Sequence, residues 1–229
     1  MAKILFVMTG ADRWTLVKGS KFHTGYWAHE FTEPYRAFTE AGHEVVVATP
    51  GGVVPSVDRG SLAPYANGGD EQAAKVAEII AGATPLEQPL ALAEVRLADY
   101  AAVFYPGGHG PMEDLAVNAD SAALLVEALR SGKPLALVCH GPAALLATAA
   151  DGPSPFAGYR LTAFSDAEER HSGLADQARW LLEDRLVELG ADYHSGEPFE
   201  PFLQADRNLH TGQNPASAGP LAAAVLAAL

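Results

Sequence analysis

Short continuous apolar runs alternate along this chain with stretches of helical spacing. Residues 3–8 (Lys-Ile-Leu-Phe-Val-Met) are apolar after a leading lysine and close at Thr9-Gly10, the pattern of a strand buried on both faces. Residues 31–41 have helical spacing and stop at Gly42. The β-branched run 44–48 reads as a second strand, closed by Pro50-Gly51-Gly52. Residues 51–69, rich in Gly, Pro, Ser and Asp, read as a long loop, and 70–83 as a helix with Asp70 as its N-cap. Residues 101–105 form a strand ending at Pro106-Gly107-Gly108, and 120–131 an amphipathic helix closed by Gly132. Residues 135–138 form a short strand, and a helix over 142–150 starts on Pro142. A strand over 159–164, a helix over 176–189 before Gly190, short strands near 202–205 and 208–210, and a last helix opened by Pro215 complete the pattern.

Repeated strand–helix alternation predicts an α/β fold: a doubly wound, mostly parallel sheet sandwiched by helices, flavodoxin-like in plan. No linker or internal repeat divides the chain, so residues 1–229 are expected to form a single domain. In such sheets ligands bind beyond the carboxyl ends of the strands. Two short loops occupy that position, 106–111 and 139–142.

Composition narrows the function. With 15 Lys+Arg against 28 Asp+Glu the net charge is −13, and no basic run is present. That argues against nucleic acid, which needs positive charge against phosphate, and against anionic membranes. The first apolar run is too short for a secretory signal, and no stretch approaches the ~20 apolar residues of a membrane span. The Ala-rich stretch 221–229 reads as a helix packed on the body. One cysteine excludes an intrachain disulfide, and a cytoplasmic location is the expectation.

That cysteine carries the candidate chemistry. The buried strand 135–138 runs into Cys139-His140-Gly141-Pro142, and a helix follows. Strand, tight turn and helix would display the thiol as a nucleophile elbow displays its serine. N–H groups at the helix start would favour a thiolate and lower the thiol pKa, and those of the turn could hold an oxyanion. His140 is adjacent, but spacing alone does not choose the carboxylates that would serve it.

Pro106-Gly107-Gly108-His109-Gly110, Cys139-His140-Gly141-Pro142 and Thr211-Gly212-Gln213-Asn214-Pro215-Ala216-Ser217 occur in this order. Each is weak alone. Together they resemble the ThiJ/PfpI superfamily, whose fold is like that of the class I glutamine amidotransferases, and within it the glyoxalase III and heat-shock chaperone branch. The resemblance spans nearly the whole chain. Through the segment 24–30 (Thr-Gly-Tyr-Trp-Ala-His-Glu) it implies that Glu30 is a protonated carboxyl hydrogen-bonded to the reactive sulfur, which burial beside an anion would favour. It implies an acidic triad member after the 159–164 strand, Glu169 with Glu168 as the alternative, orienting His140. Gly107 or Gly108 would supply an oxyanion donor. His109 and Trp27 would contact substrate, with the stretch 12–22 and Trp14 shaping the pocket mouth. His29 and Glu33, four apart, could share a helix face as metal ligands, but no third ligand is evident.

Two departures argue against glutamine hydrolysis: Leu137 stands where amidotransferases of this fold carry glycine, and no His-x-Glu pair lies near the C-terminus. The resemblance implies a metal-free, cofactor-free enzyme acting on a small aldehyde, a glutathione-independent glyoxalase converting methylglyoxal to lactate, in a homodimer. Protease- or deglycase-like hydrolysis is the alternative on the same thiol. A holdase chaperone, which needs an exposed apolar patch, and a redox sensor are further readings.

Overall fold

The computed structural model describes all residues, Met1–Leu229. In chain order the elements are β1 (Lys3–Val7), β2 (Arg13–Thr15), β3 (Lys21–His23), α1 (Ala28–Glu40), β4 (Glu44–Thr49), α2 (Pro64–Asn67), α3 (Asp70–Gly82), β5 (Leu90–Ala91), β6 (Ala102–Tyr105), α4 (Ala119–Ser131), β7 (Leu135–Val138), β8 (Arg160–Leu161), α5 (Asp166–His171), α6 (Leu182–Glu188), β9 (Asp192–Tyr193), β10 (Leu203–Asp206), β11 (Leu209–Gly212) and α7 (Ala218–Ala228). Seven strands make one sheet in the order β10-β11-β7-β6-β1-β4-β5, parallel except for the β10–β11 edge hairpin. The expected doubly wound α/β architecture is the observed one.

The pleat sorts β1 onto two faces. Ile4 and Phe6 meet Phe31 and Phe38 of α1 and Leu221 and Val225 of α7. Leu5 and Val7 belong to the opposite core, with Leu124 and Leu125 of α4 and Leu182 and Leu186 of α6. Phe6 stacks on Phe104 at 5.2 Å and lies edge-on to Phe31 and Phe38, at 5.9 Å each. Burying such a ring contributes about 3 kcal/mol, so the aromatic cluster locks α1, which carries Glu30, onto the sheet.

Several expected elements differ. Asp70 is the first helical residue of α3, not its cap. Gly69, at φ 131°, takes the N-cap position, and Asp70 and Glu71 act on the helix dipole instead. The loop 51–69 contains the one-turn helix α2, started by Pro64 and ended by Gly68 in the left-handed region. The segment Gly141–Ala149 is a 3-10 helix rather than an α-helix. It is buried on nearly every side. Of 159–164 only β8 is strand, and it pairs with β9 outside the main sheet. Leu161 and Ala163 are buried there without joining the main sheet. The helix expected over 176–189 is confined to α6, because Leu181 is extended at its N-cap. Hairpin β2–β3 and edge strand β5 were not expected from the pattern.

Candidate active site

β7 lies between β6 and β11, with Tyr105 in register with Leu137 and Gly212 with Val138. Its carboxyl end therefore abuts the end of β6, where the 106–110 loop begins. Cys139 N–H donates to Gly212 O at 2.9 Å, and Cys139 O accepts from Phe164 N–H at 2.9 Å. Between these bonds Cys139 is held at φ 58°. For a residue with a side chain such a conformation costs on the order of 1–3 kcal/mol and persists only where its surroundings enforce it. Here it makes the sharp turn expected at residue 139. The sulfur is nearly enclosed, with the residue 3% exposed.

On one side of the thiol stands a histidine–carboxylate pair. Cys139 Sγ lies 3.3 Å from His140 Nδ1, and His140 Nε2 lies 2.8 Å from Glu169 Oε2. Burial raises the Glu169 carboxyl, but hydrogen bonds from His109 and His140 outweigh that and hold it well below the usual range. An ionised carboxylate only accepts, so His140 carries its proton on Nε2. Burial, with the nearby His109, lowers the His140 ring to about 4. A neutral ring protonated on Nε2 leaves Nδ1 as a lone pair facing the sulfur, the tautomer a general base requires.

Glu168 makes no hydrogen bond to His140. Its Oε2 accepts from Ser165 N–H, Ser165 Oγ–H and Gln213 Nε2–H, and its Oε1 from Phe199 N–H and Asn214 Nδ2–H. This fully buried carboxyl ties α5, the 197–200 loop and the 211–217 motif together. Ser165-Asp-Ala-Glu168 spells a capping box, and the reciprocal bonds are present. That local signal separates Glu168 from Glu169 and was readable in the sequence.

On the other side of the thiol stands Glu30, completely buried in the first turn of α1. Its Oε2 accepts Gly107 N–H at 2.6 Å. Its Oε1 has no nitrogen or oxygen partner, and the carboxyl neighbours the Cys139 thiol. Burial pushes Glu30 up to about 8, so it holds its proton at neutral pH. Burial also pushes the thiol well above its usual value. Glu30 adds to this, and Gly108 N–H pulls the other way. The lowered thiol pKa expected from the helix start is thus overridden by desolvation and the neighbouring carboxyl.

The glycine loop fits between these groups without spare room. A Cβ on Gly107 would stand 2.6 Å from His140 N and 2.8 Å from Glu30 Oε2. Gly107 N–H is committed to Glu30, so of the two expected oxyanion donors only Gly108, at φ 85°, points its N–H toward the sulfur. His140 N–H has no acceptor within the protein and lies on the same turn.

Two expected substrate contacts part company. Trp27 is half-buried and lines a cavity of about 790 Å³ with Tyr65, His171, Phe199 and Asn214. The Phe164 ring, 6.2 Å from Phe199 and 4.6 Å from His140, stands between this cavity and His140. His109, expected at the pocket wall, is buried and bonded through Nε2 to Glu169 Oε1 at 3.0 Å. Trp14 does not shape the mouth. It is 1% exposed and stacks on His109 at 4.9 Å. A larger groove, about 1070 Å³ between α4 and the 3-10 segment, holds none of these groups.

His29 lines the same cavity as Trp27, and Glu33 pairs with Arg36 at 3.2 Å, so neither finds a third ligand. The set with metal-ligand chemistry is His109, His140 and Glu169, whose donor atoms lie within 4.8 Å of one another. Those atoms are already engaged in the hydrogen bonds above.

A family model for the DJ-1/PfpI family matches residues 22–228. The chain is 32% identical over 242 residues to the protein/nucleic acid deglycase HchA of Pseudomonas aeruginosa, covering 98% of this chain and 80% of that one. HchA of Staphylococcus aureus is 29% identical, with 96% of this chain and 77% of that one covered. Among solved structures, Rapid Encystment Protein 24 kDa of Francisella tularensis superposes with a TM-score of 0.86 at 28% identity, covering 100% and 99% of the two chains. Glyoxalase III of Candida albicans superposes at 0.83 and 26% identity, covering 100% and 97%.

Proposed function

The chain belongs to the DJ-1/PfpI family, and we propose that within it the protein is a cysteine-dependent enzyme of small reactive aldehydes, a glutathione-independent glyoxalase that converts methylglyoxal to lactate. The observation that carries this reading is one strained thiol placed between two different proton carriers. Protonated Glu30 is on one side and neutral His140, backed by ionised Glu169, on the other.

The steps follow from those protonation states. His140 Nδ1 takes the thiol proton as Cys139 Sγ adds to the aldehyde carbon. The developing oxyanion is met by Gly108 and His140 N–H and protonated to a hemithioacetal. Glu30 and His140 then carry a proton from C1 to C2 through an enediol, leaving a thioester of the 2-hydroxy acid. Water cleaves that thioester, releasing lactate and restoring the thiol. The sequence is an isomerisation followed by hydrolysis and consumes no external oxidant or reductant.

A second reading has a specific observation behind it. The aromatic-rimmed cavity across Phe164 from His140, about 790 Å³, is ample for more than a three-carbon aldehyde, and two relatives carry the name deglycase. In this reading Cys139 attacks an adduct of the aldehyde with an amine. The two are separated by comparing lactate formation from free methylglyoxal with that from a preformed methylglyoxal–amine adduct, free methylglyoxal being trapped chemically in the adduct assay. The glyoxalase reading expects turnover of the free aldehyde only. Lactate from the trapped adduct assay at the greater rate would assign the hydrolytic reading instead.

A further inference from the structure

We propose that His109 positions Glu169 for its bond to His140, and that hairpin β2–β3 is the clamp that holds His109 in place. The inference rests on Cys139, His140 and Glu169 working as a unit, but not on which aldehyde they act upon. A carboxylate with one partner can turn about its terminal bond. Glu169 has two, His140 Nε2 on Oε2 at 2.8 Å and His109 Nε2 on Oε1 at 3.0 Å. Each oxygen is bonded to a different ring, so the plane of the carboxylate is fixed and with it the direction of His140.

The ring of His109 is held in turn. It stacks on Trp14 at 4.9 Å and 22°, meets the edge of Phe22 at 5.9 Å, and lies 4.1 Å from the His140 ring. Trp14 and Phe22 are direct cross-strand partners in the hairpin, so one pair of opposed side chains grips the histidine. The hairpin is tied to the chain just after His109: Thr15 N–H and Oγ–H both donate to the Glu113 carboxylate, at 2.7 and 2.6 Å, and Lys21 Nζ lies 3.6 Å from it. The stretch 12–22 therefore acts behind the triad acid. The titratable groups in contact with His109 are Glu169 and His140.

Two substitutions separate positioning from packing. His109→Phe keeps a ring against Trp14 and loses the N–H. His109→Gln gives up the ring and returns an N–H at a similar reach. One lost hydrogen bond to a buried carboxylate corresponds to a kcat about 10- to 100-fold lower in His109→Phe. KM is expected unchanged, since the His109 ring is buried and its Nε2 is spent on Glu169, and His109→Gln should recover most of the loss. Iodoacetamide alkylation of Cys139 at neutral pH should slow in His109→Phe and recover in His109→Gln, whatever the substrate. Thermal melting of all three proteins checks folding. Wild-type kcat and alkylation in His109→Phe, a raised KM at constant kcat, or no rescue by glutamine in a folded protein would each overturn the proposal. If alkylation follows the expected pattern while no form turns over methylglyoxal, the positioning role stands and the glyoxalase reading falls.

Discussion

Replacing Glu30 with glutamine removes one buried proton and should change how stability depends on pH. Glu30 is completely buried and titrates near 8 in the folded protein, against 4.5 for an ordinary glutamate. Above pH 4.5 the unfolded chain gives up this proton and the folded chain keeps it. The folded state then binds more protons, so stability falls as pH rises from about 4.5 to about 8, at about 1.4 kcal/mol per pH unit. Below pH 4.5 both states are protonated and the penalty is absent. Between pH 5 and pH 8 the loss attributable to Glu30 sums to about 4 kcal/mol. Glutamine has nearly the same shape, can still accept Gly107 N–H, and does not ionise. Urea unfolding of wild type and Glu30→Gln at pH 5, 6, 7 and 8, under reducing conditions, isolates the effect of Glu30 and its coupled neighbour Cys139, because the remaining titrating groups cancel in the difference. The variant should gain on wild type steadily across this range. A difference that stays flat, or one in which wild type gains as pH rises, would refute the claim that Glu30 is a protonated acid beside the thiol.

Gly107→Ala should lower both melting temperature and activity, because its methyl group would meet His140 N and Val138 O at 2.6 Å, backbone atoms that cannot swing aside. A cost of about 1–3 kcal/mol is expected in urea unfolding. Glu168→Gln should lose about 2–4 kcal/mol of stability, since an amide cannot accept all five hydrogen bonds the carboxylate now takes. Unaltered unfolding in that variant would dismiss its role as a tie between three segments. Glu169→Gln should lower kcat but leave a measurable residue, whereas Cys139→Ser should leave none. Equal losses in steady-state kinetics would argue that Glu169 does more than orient His140.

The parts legible in the sequence were those whose signal is local. The runs at β1 and β7 are buried on both faces and contain no polar interruption, so they read directly as central strands. The turn at Cys139 followed from a strand running into His-Gly-Pro. Residues 159–164 misled because Leu161 and Ala163 are as buried as residues of the central strands yet pack on the core from outside the main sheet. Asp70 looked like a cap because it is acidic at a helix start, a place that also suits a first-turn residue. Glu30 and Glu169 came from resemblance: nothing beside Glu30 marks it, and beside Glu169 the one local signal is the Ser165–Glu168 capping box, which commits Glu168 elsewhere. The bond from His109 to Glu169 joins residues 60 apart in sequence, and the clamp on His109 needs a hairpin that three-residue strands scarcely announce. Only the folded chain brings those groups together.

The account stands most directly on lactate formation from methylglyoxal without glutathione, followed side by side in wild type and Cys139→Ser. It predicts steady turnover by wild type and none above the uncatalysed background by the variant. Equal lactate from both proteins, or none from a correctly folded wild type, would contradict it.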